Sequence, residues 1–484
     1  MMRLVPDIGF EIHAQLATRT KLFCSCPNDV GGSPNTRVCP VCLGLPGALP
    51  VLNEAAIDLA LRIALAFGAR VAPGMRFARK NYFYPDLPKG YQITQYERPV
   101  ALAGGFAGGP EGGVRIRRVH LEEDAGKTVH GSRGERSRVD MNRSGVPLVE
   151  IVTEPDVHSI EEADAFLKAV RGVLVFLRVS SGRMHEGAIR FDTNISLRRE
   201  GSGSPGEKTE IKNLNSFRSV ARALAYEIER QSALIESGRP VVHETLLWDE
   251  TLDRATPMRS KEEESDYRYF PDPDLGPFTL SRERLERVSR TMPELPDEAR
   301  ERLRSRHGLS DEQLDALAAH PEAVRCFDSA LEALEVAGCD GEATTLANWM
   351  VGPVAGLAHS KGIELADLVR GALPAERLAD VVAARLSGRV SEPAARKLLE
   401  AAAGSDEPVS ALIARLGLER LDDAAELERV VRRVVDQHPS EARRWRDGER
   451  KLTRYFMGLI MAETKGRADP TRVKQLLEAR LGGS

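Results

Sequence analysis

The sequence predicts an α+β domain over residues 1–295 followed by helical sequence to residue 484, and three observations predict it. Up to about residue 295, short segments of alternating apolar and polar residues are separated by Gly, Pro and Asn clusters. Helical patterns interrupt those segments without alternating strictly with them, which favours α+β over a doubly wound parallel sheet. At "TMPELPDEARERL" the character changes. Pro293 and Pro296 break the pattern, Asp297 and Glu298 sit where a helix start favours acids, and the chain reads as helical beyond.

The first strand, "GFEIHAQL", alternates strictly. Phe10, Ile12, Ala14 and Leu16 face one way, and Glu11, His13 and Gln15 the other. Such a strand presents a carboxylate and an imidazole side by side, although a solvent-facing polar edge reads the same way. The run "LFCSCPNDVGGSPNTRVCPVCLGLPG" then spaces Cys24, Cys26, Cys39 and Cys42 as C-x-C, a loop and C-x-x-C. Four thiolates in two tight pairs can close a tetrahedron around Zn²⁺, and Pro27, Gly31, Gly32, Pro34 and Pro40 supply the turns. A closed four-sulfur site leaves no position for substrate, so its role is structural. Free or redox-active cysteines are the alternative, but paired spacing suits a metal better than a disulfide.

"VLNEAAIDLALRIALAFG" predicts a helix, as do "IEEADAFLKAVRGVLVFLRV" and "FRSVARALAYEIERQSALIESG", the last ending at Gly238. "ARKNYFYPDLPKGYQITQ" sets Arg79, Lys80 and Asn81 beside Tyr82 and Tyr84, then Lys89. The Gly-rich "ALAGGFAGGPEGG" is expected to join two strands. "VHLEEDAGKT" ends a strand in Glu122, Glu123 and Asp124, three acids that repel one another unless a cation neutralises them. Its "AGKT" is no P-loop, because Leu121 stands where that motif needs Gly. "SGVPLVEIVTEPD" sets Glu150 among Val149, Ile151 and Val152, where a carboxylate needs a partner. "IRFDTNISL" puts Asp192 and Asn194 on one strand face, and "TEIKNLNSF" adds Glu210 and Lys212.

In the helical part, "AAGSDEPVS" clusters Gly404, Ser405 and Pro408 and predicts a boundary between 296–405 and 406–484. Gly466 fits a helix stop, and Asp469 and Pro470 fit the cap and first position of the next helix. A hydrophobic share of 42% and a charged share of 29% suit an ordinary globular chain of two or three domains. The net charge of -4 means that a nucleic-acid contact must come from a local basic surface. No apolar run approaches the ~18 residues of a membrane helix, and the start lacks a signal-peptide core, so a cytoplasmic location is expected.

Strand-borne carboxylates with one His and nearby Lys and Arg suit Mg²⁺ and the phosphates of ATP. At these residues the sequence resembles the B subunits of the aspartyl/glutamyl-tRNA(Asn/Gln) amidotransferases. The matching stretches include "IGFEIHAQL", "KLFCSCP", "RKNYFYPDLPKGYQITQ", "HLEEDAGKT", "DMNRSGVPLVEIVTEPD", "TEIKNLNSF", "ANWMVGPV" and "GLIMAETKGRADPTRV". The resemblance implies a cradle-shaped, kinase-like antiparallel-sheet domain similar to glutamine synthetase, then an all-α helical domain and an all-α YqeY-like tail. It implies ATP-dependent activation of the side-chain carboxyl of Glu-tRNA(Gln) or Asp-tRNA(Asn). Ammonia from a glutaminase (amidase) A subunit would then form the amide, with a small C subunit joining the two in a heterotrimer. No amidase signature or cysteine nucleophile for glutamine hydrolysis is found in this chain, in keeping with such a partner.

By the same resemblance, Glu11, His13, Glu123 and Glu150 are the expected Mg²⁺ ligands, and Asp192 and Glu210 further catalytic acids. Lys80, Asn81, Tyr82, Asn142 and Arg143 are expected to contact phosphate or substrate, and Cys24, Cys26, Cys39 and Cys42 to hold Zn²⁺. His185 is expected to be exposed rather than to line the path of ammonia. A zinc-held tRNA scaffold without catalysis is the alternative, but it has no need of the acids; the all-cysteine site argues against a zinc hydrolase. The tail is the most basic stretch, and Lys465 and Arg467 within it are expected to contact tRNA phosphates. Charge reversal at both positions is expected to weaken tRNA binding in a salt-dependent way, measured by titration at low and moderate salt.

Overall fold

The structure, a computed structural model, describes every residue except 1–2, 30, 109, 111, 130, 132–135, 203, 260–266, 421–423, 465 and 483–484. The chain forms two compact units, Met1–Leu295 and Pro296–Ser484.

In the first unit the elements run β1 (Leu4–Gln15), α1 (Glu54–Ala66), β2 (Arg70–Val71), β3 (Gly74–Met75), β4 (Ala78–Asn81), β5 (Tyr91–Thr94), β6 (Ala101–Phe106) and β7 (Val114–Glu123). There follow β8 (Lys127–Val129), β9 (Arg138–Asp140), β10 (Pro147–Thr153), α2 (Ile160–Phe176), β11 (Ile189–Arg199), β12 (Thr209–Leu214) and α3 (Phe217–Glu236). The unit closes with β13 (Glu244–Asp249), β14 (Arg254–Arg259), β15 (Phe270–Pro271), β16 (Phe278–Thr279) and α4 (Arg282–Arg290). Nine strands make one sheet in the order β14-β13-β12-β11-β1-β10-β7-β6-β2. Every pairing in it is antiparallel except β12 with β13.

The alternation of β1 decides what each face of this sheet does. Ile8, Phe10, Ile12 and Ala14 are fully buried, in one core with Phe166, Leu167, Val170 and Leu174 of α2, Val220 and Leu224 of α3, and Ile57 and Leu61 of α1. Phe10 and Phe166 stack with ring centroids 5.7 Å apart. Helices therefore cover this face. The opposite face, carrying Glu11 and His13, is approached by the small sheet β15-β4-β5, whose Thr94 hydroxyl on β5 donates to the Glu122 carboxylate on β7 at 3.5 Å.

The helices start where their caps dictate. Asn53, Ser159 and Ser216 each accept a backbone N–H of the first turn of α1, α2 and α3. Glu162 adds a return bond to the His158 amide at 2.7 Å. The Gly-rich stretch departs from expectation: its first half is the strand β6, and the connection is confined to the residues after Phe106. Gly104 belongs in that strand because a Cβ there would stand 2.6 Å from the Phe67 carbonyl oxygen, closer than a side chain permits.

The second unit is helical: α5 (Pro296–His307), α6 (Asp311–Leu317), α7 (Pro321–Val336), α8 (Ala343–Trp349), α9 (Ala355–Ser360), α10 (Leu365–Arg370), α11 (Ala375–Leu386), α12 (Glu392–Ala402) and α13 (Val409–Leu416) come first. Between α8 and α9, Met350–Val354 widens into a π-turn around Pro353, which has no N–H to continue the α ladder. Then come α14 (Ala424–Gln437), α15 (Pro439–Arg446), α16 (Leu452–Glu463) and α17 (Pro470–Gly482). These last four share a core that includes Leu427, Val431, Trp445, Phe456, Ile460, Val473 and Leu477. Gly466 follows α16 with φ 78°, and Asp469 caps α17 through the Arg472 amide at 2.9 Å.

A buried polar knot fastens α3 to the sheet. Glu227 is fully buried and accepts from Thr209 Oγ1 at 2.6 Å, Gln231 Nε2 at 2.8 Å and Arg230 Nε at 2.8 Å. Glu227→Ala strands those donors and is expected to cost about 3 kcal/mol. The check is the urea midpoint of the variant, with Glu227→Gln, which keeps an acceptor, expected to lose less.

Candidate metal centres on the polar face of the sheet

Strand register brings the acids together. Glu11 on β1 lies opposite Asp192 on β11, and Asn194 on β11 opposite Glu210 on β12. On the other side of β1, His13 lies opposite Glu150 on β10, which lies opposite His120 on β7. Five adjacent strands, β12-β11-β1-β10-β7, thus each bring one carboxylate to the same face: Glu210, Asp192, Glu11, Glu150 and Glu122.

They fall into two trios. In the first, ligand atoms of Glu11, Asp192 and Glu210 lie within 4.8 Å of one another. Lys212 Nζ bridges Asp192 at 3.1 Å and Glu210 at 3.0 Å, Thr245 Oγ1 donates to Glu210 at 2.9 Å, and Asn194 Nδ2 donates to Glu11 at 3.3 Å. Burial, then the nearby charges of Glu150, Glu210 and Asp192, raise the Glu11 carboxyl above its ordinary range, with Lys212 opposing. In the second trio, His13 Nε2 stands 3.6 Å from Glu122 and 3.5 Å from Glu150. His120 Nε2 backs Glu150 at 3.1 Å. Burial pushes Glu150 up, but His120 and His13 outweigh it and hold the carboxyl well below its usual range. Burial also works against the His13 proton, yet the hydrogen bond and charge of Glu150, with Glu122 and Asp192, hold its pKa up at about 9.

Both trios fit a cation. Two oxygens bound at about 2.1–2.5 Å to one ion stand at most about 4–5 Å apart, which matches the spread of each set. Asn194 Oδ1 and His120 Nδ1 are buried beside them without a hydrogen-bond partner among the described residues. The all-oxygen trio suits a hard ion such as Mg²⁺, while an imidazole in the second also admits Mn²⁺.

Glu123, expected as a metal ligand, turns away from both trios. Its carboxylate pairs with Lys89 and accepts the Ile93 amide at 3.1 Å. The carboxylate that meets His13 and Glu150 is that of Glu122. His120 and Glu122 were legible only through period two along β7, which puts them on one face and Glu123 on the other.

The other expected contacts are divided. Lys80 sits near the acids, its Nζ 4.6 Å from the Tyr267 ring and 5.8 Å from the Tyr82 ring. Burial works against its charge, but Tyr269, Glu122, Tyr82 and Glu150 outweigh it and raise its pKa. Tyr82 packs edge-on to Tyr84 and Tyr267. Asn81 spends its amide on the carbonyls of Tyr267 and Arg268, at 3.1 and 2.9 Å. Asn142 ties the cysteine loop, donating to Ser33 O at 2.8 Å and accepting from the Arg37 amide at 2.9 Å. Arg143 bonds the carbonyls of Ala125 and Gly126 and pairs with Asp124 at 3.3 Å. His185 has a side chain 75% exposed, as expected. Arg467 is half-buried and donates to Thr464 O at 3.3 Å, and Lys465 lies outside the described residues.

The sulfurs of Cys24, Cys26, Cys39 and Cys42 all lie within 4.8 Å of one another, Cys39 and Cys42 at 3.9 Å. Zn–S bonds of about 2.3 Å set a tetrahedral edge of ~3.8 Å, so the set fits zinc. A hydrogen bond from Cys24 leads the effects that, against burial, draw Cys42 down to about 4; the Cys39 amide and Lys21 help. Lys21 is fully buried, with Nζ 3.8 Å from Cys42 Sγ and 2.9 Å from Arg37 O. A lysine so placed suits thiolates better than neutral thiols.

A proton held on His13 up to about pH 9 competes with any cation for Nε2. Mn²⁺ affinity is therefore expected to rise between about pH 7 and 8.5, by at most about tenfold per unit. Mn²⁺ titration followed by electron paramagnetic resonance checks this, and His13→Gln is expected to flatten the dependence.

Residues 6–286 match the family model described as the GatB/GatE catalytic domain, and residues 330–481 the one described as the GatB domain. The B subunit of aspartyl/glutamyl-tRNA(Asn/Gln) amidotransferase from Anaeromyxobacter dehalogenans is 45% identical over 480 residues, spanning 98% of each chain. Its counterpart from Thermodesulfovibrio yellowstonii is 42% identical over 97% of this chain and 98% of that protein. The one from Persephonella marina is 40% identical over 99% and 100%. Both trios and all four cysteines lie inside the first match. With likeness running almost end to end, the chain belongs to the family of aspartyl/glutamyl-tRNA(Asn/Gln) amidotransferase B subunits.

Proposed function

We propose that this chain activates the side-chain carboxyl of Glu-tRNA(Gln) or Asp-tRNA(Asn) with ATP, and that ammonia then converts it to the amide. The observation that carries this reading is the convergence of five carboxylates from five strands on one sheet face beside Lys80, Lys212 and His13. In this reading the protein is the carboxyl-activating part of a carbon–nitrogen ligase with glutamine as amido donor. A glutaminase partner, the A subunit, supplies the ammonia, and a small C subunit completes a heterotrimer. The first unit is the cradle-shaped, kinase-like domain similar to glutamine synthetase; residues 296–405 are the helical domain, and residues 406–484 the YqeY-like tail that helps hold tRNA. The cytoplasm is its place of work; among the described residues no helix is long and apolar enough to cross a membrane.

The chemistry needs activation because a carboxylate is a poor electrophile. Glu11, Asp192 and Glu210 would hold one divalent ion, and His13, Glu122 and Glu150 another. When bound, such ions neutralise phosphate charge and sharpen the γ-phosphorus as an electrophile. Lys80 adds positive charge toward the same phosphates, and Lys212 keeps Asp192 and Glu210 oriented. The substrate carboxylate oxygen bonds to the γ-phosphorus as the bond to ADP breaks. Ammonia then attacks the acyl carbon, the carbon–oxygen bond to phosphate breaks, and one proton from nitrogen leaves with the phosphate. The four cysteines would hold Zn²⁺ in a structural role, apart from these bonds.

Glu11→Ala is expected to reduce tRNA-stimulated ATP hydrolysis by about a hundredfold or more. Glu122→Ala is expected to match it, with Glu123→Ala acting through Lys89 and costing less. Single-turnover hydrolysis with each mischarged tRNA is the measurement, and co-purification with the glutaminase partner is expected to survive. Wild-type turnover in Glu11→Ala would remove the assignment.

A further inference from the structure

Lys21 is fully buried, a rare place for an ammonium group, and the chemistry proposed above makes no use of it. Its Nζ reaches the Arg37 carbonyl at 2.9 Å and Cys42 Sγ at 3.8 Å. A cation taken out of water needs an anion beside it. Glu123 borders the same space, but its carboxylate is already paired with Lys89. The acidic group that meets Lys21 Nζ is the Cys42 sulfur.

The main chain beside Lys21 leads to the acid run. Leu22 donates its amide to Gly145 O at 2.9 Å, and Gly145 donates its own to Asp124 O at 2.9 Å. Asp124 returns a bond from its amide to Val146 O at 2.8 Å. Ser144 Oγ donates to Cys42 O at 3.1 Å. The parts meet at Gly145, which has φ 81°. A Cβ there would stand 3.4 Å from Cys42 Cβ, 3.7 Å from Glu123 Oε1 and 3.7 Å from Lys21 Cδ. The turn before β10 is thus stitched to the cysteine loop on one side and to the end of β7 on the other. β7 and β10, which pair with each other, carry Glu122 and Glu150.

We propose that Lys21 is a positioning residue that couples the cysteine centre to the His13–Glu122–Glu150 trio, an inference that rests on the two kinds of metal centre proposed above. Four thiolates around Zn²⁺ leave that centre anionic, and the Lys21 ammonium offsets part of the charge inside the protein. Losing the metal removes the anionic charge that keeps a buried ammonium in place. Lys21 then draws Leu22 with it, Leu22 releases Gly145, and the end of β7 is freed to shift against β10. Filling the cysteine centre accordingly tightens cation binding at the trio. By linkage, a cation at the trio tightens the hold on zinc by the same factor.

The test uses the full-length chain, stripped with a chelator and then given either no Zn²⁺ or one equivalent. Mn²⁺ is titrated into each form and followed by electron paramagnetic resonance. Zn²⁺ affinity is measured by competition with a chromogenic chelator, and hydrogen exchange reads the Gly145 and Asp124 amides. Lys21→Met, which keeps the length of the side chain and removes its charge, is compared with wild type, with melting temperature as the check on folding. In wild type, zinc is expected to tighten Mn²⁺ binding by about fivefold or more and to slow exchange at both amides. Lys21→Met is expected to weaken zinc binding by about tenfold or more. Once loaded with zinc, that variant is expected to show less than about a twofold effect on Mn²⁺. An effect of zinc on Mn²⁺ below about twofold in wild type overturns this inference without recourse to any variant. Coupling of full size in zinc-loaded Lys21→Met overturns it as well, since the brace would not then run through Lys21. A wild-type chain that binds neither Zn²⁺ nor Mn²⁺ overturns the metal reading of both centres with it.

Discussion

Like charge gathered in a place of low dielectric is the constraint around which the first unit is organised. Glu11, Asp192, Glu210, Glu122 and Glu150 stand on five neighbouring strands in the middle of the nine-stranded sheet. Carboxylates in that arrangement repel one another by several times the thermal energy unless positive charge is fixed among them. Lys212 and His13 supply part of it, and a divalent ion held by these acids would supply the remainder. The helices behind the sheet make this tolerable. A strand with Ile8, Phe10, Ile12 and Ala14 sealed against α2 cannot rotate its acids into solvent without exposing its core.

The division of labour on the front of the sheet follows from the same packing. Asp124 is held by Arg190 at 3.0 Å, Arg143 at 3.3 Å and Gln15 at 2.9 Å, so it serves as a clamp between strands. Glu123 is spent on Lys89. Three consecutive acids thus meet three different fates: one beside His13, one in an ion pair, one in a clamp. The cysteine loop adjoins this region, since Cβ positions built at Gly44 and Gly145 would meet Lys89 and Cys42. A metal at the four sulfurs would brace the segment against which Lys89 rests.

Much of this was legible in the sequence, and the reasons are specific. β1 could be read face by face because its alternation is unbroken, and the helices at α1, α2 and α3 because their apolar spacing and caps agree. The four cysteines were legible from spacing alone. The choice between Glu122 and Glu123 was harder. Both lie in an acidic run; period two along β7 separates their faces, and strand register, a long-range property, says which face looks at His13. The strand β6 was hidden by its glycines, of which Gly104 serves the close passage of the Phe67 carbonyl rather than a turn. The ties of Asn81 and Asn142 to distant carbonyls were equally out of reach, because each joins segments far apart in the chain.

The one parallel pairing in the sheet has a consequence for Glu210. β12 connects to β13 through α3, so β13 returns alongside it in the same direction and β12 is flanked on both sides. The acid farthest from the centre of the constellation therefore sits on an interior strand. Sliding it by one residue would mean breaking two ladders at once and tearing the Glu227 knot that anchors the crossover helix. A side chain at the periphery of the site is in this way given the positional certainty of one at its middle.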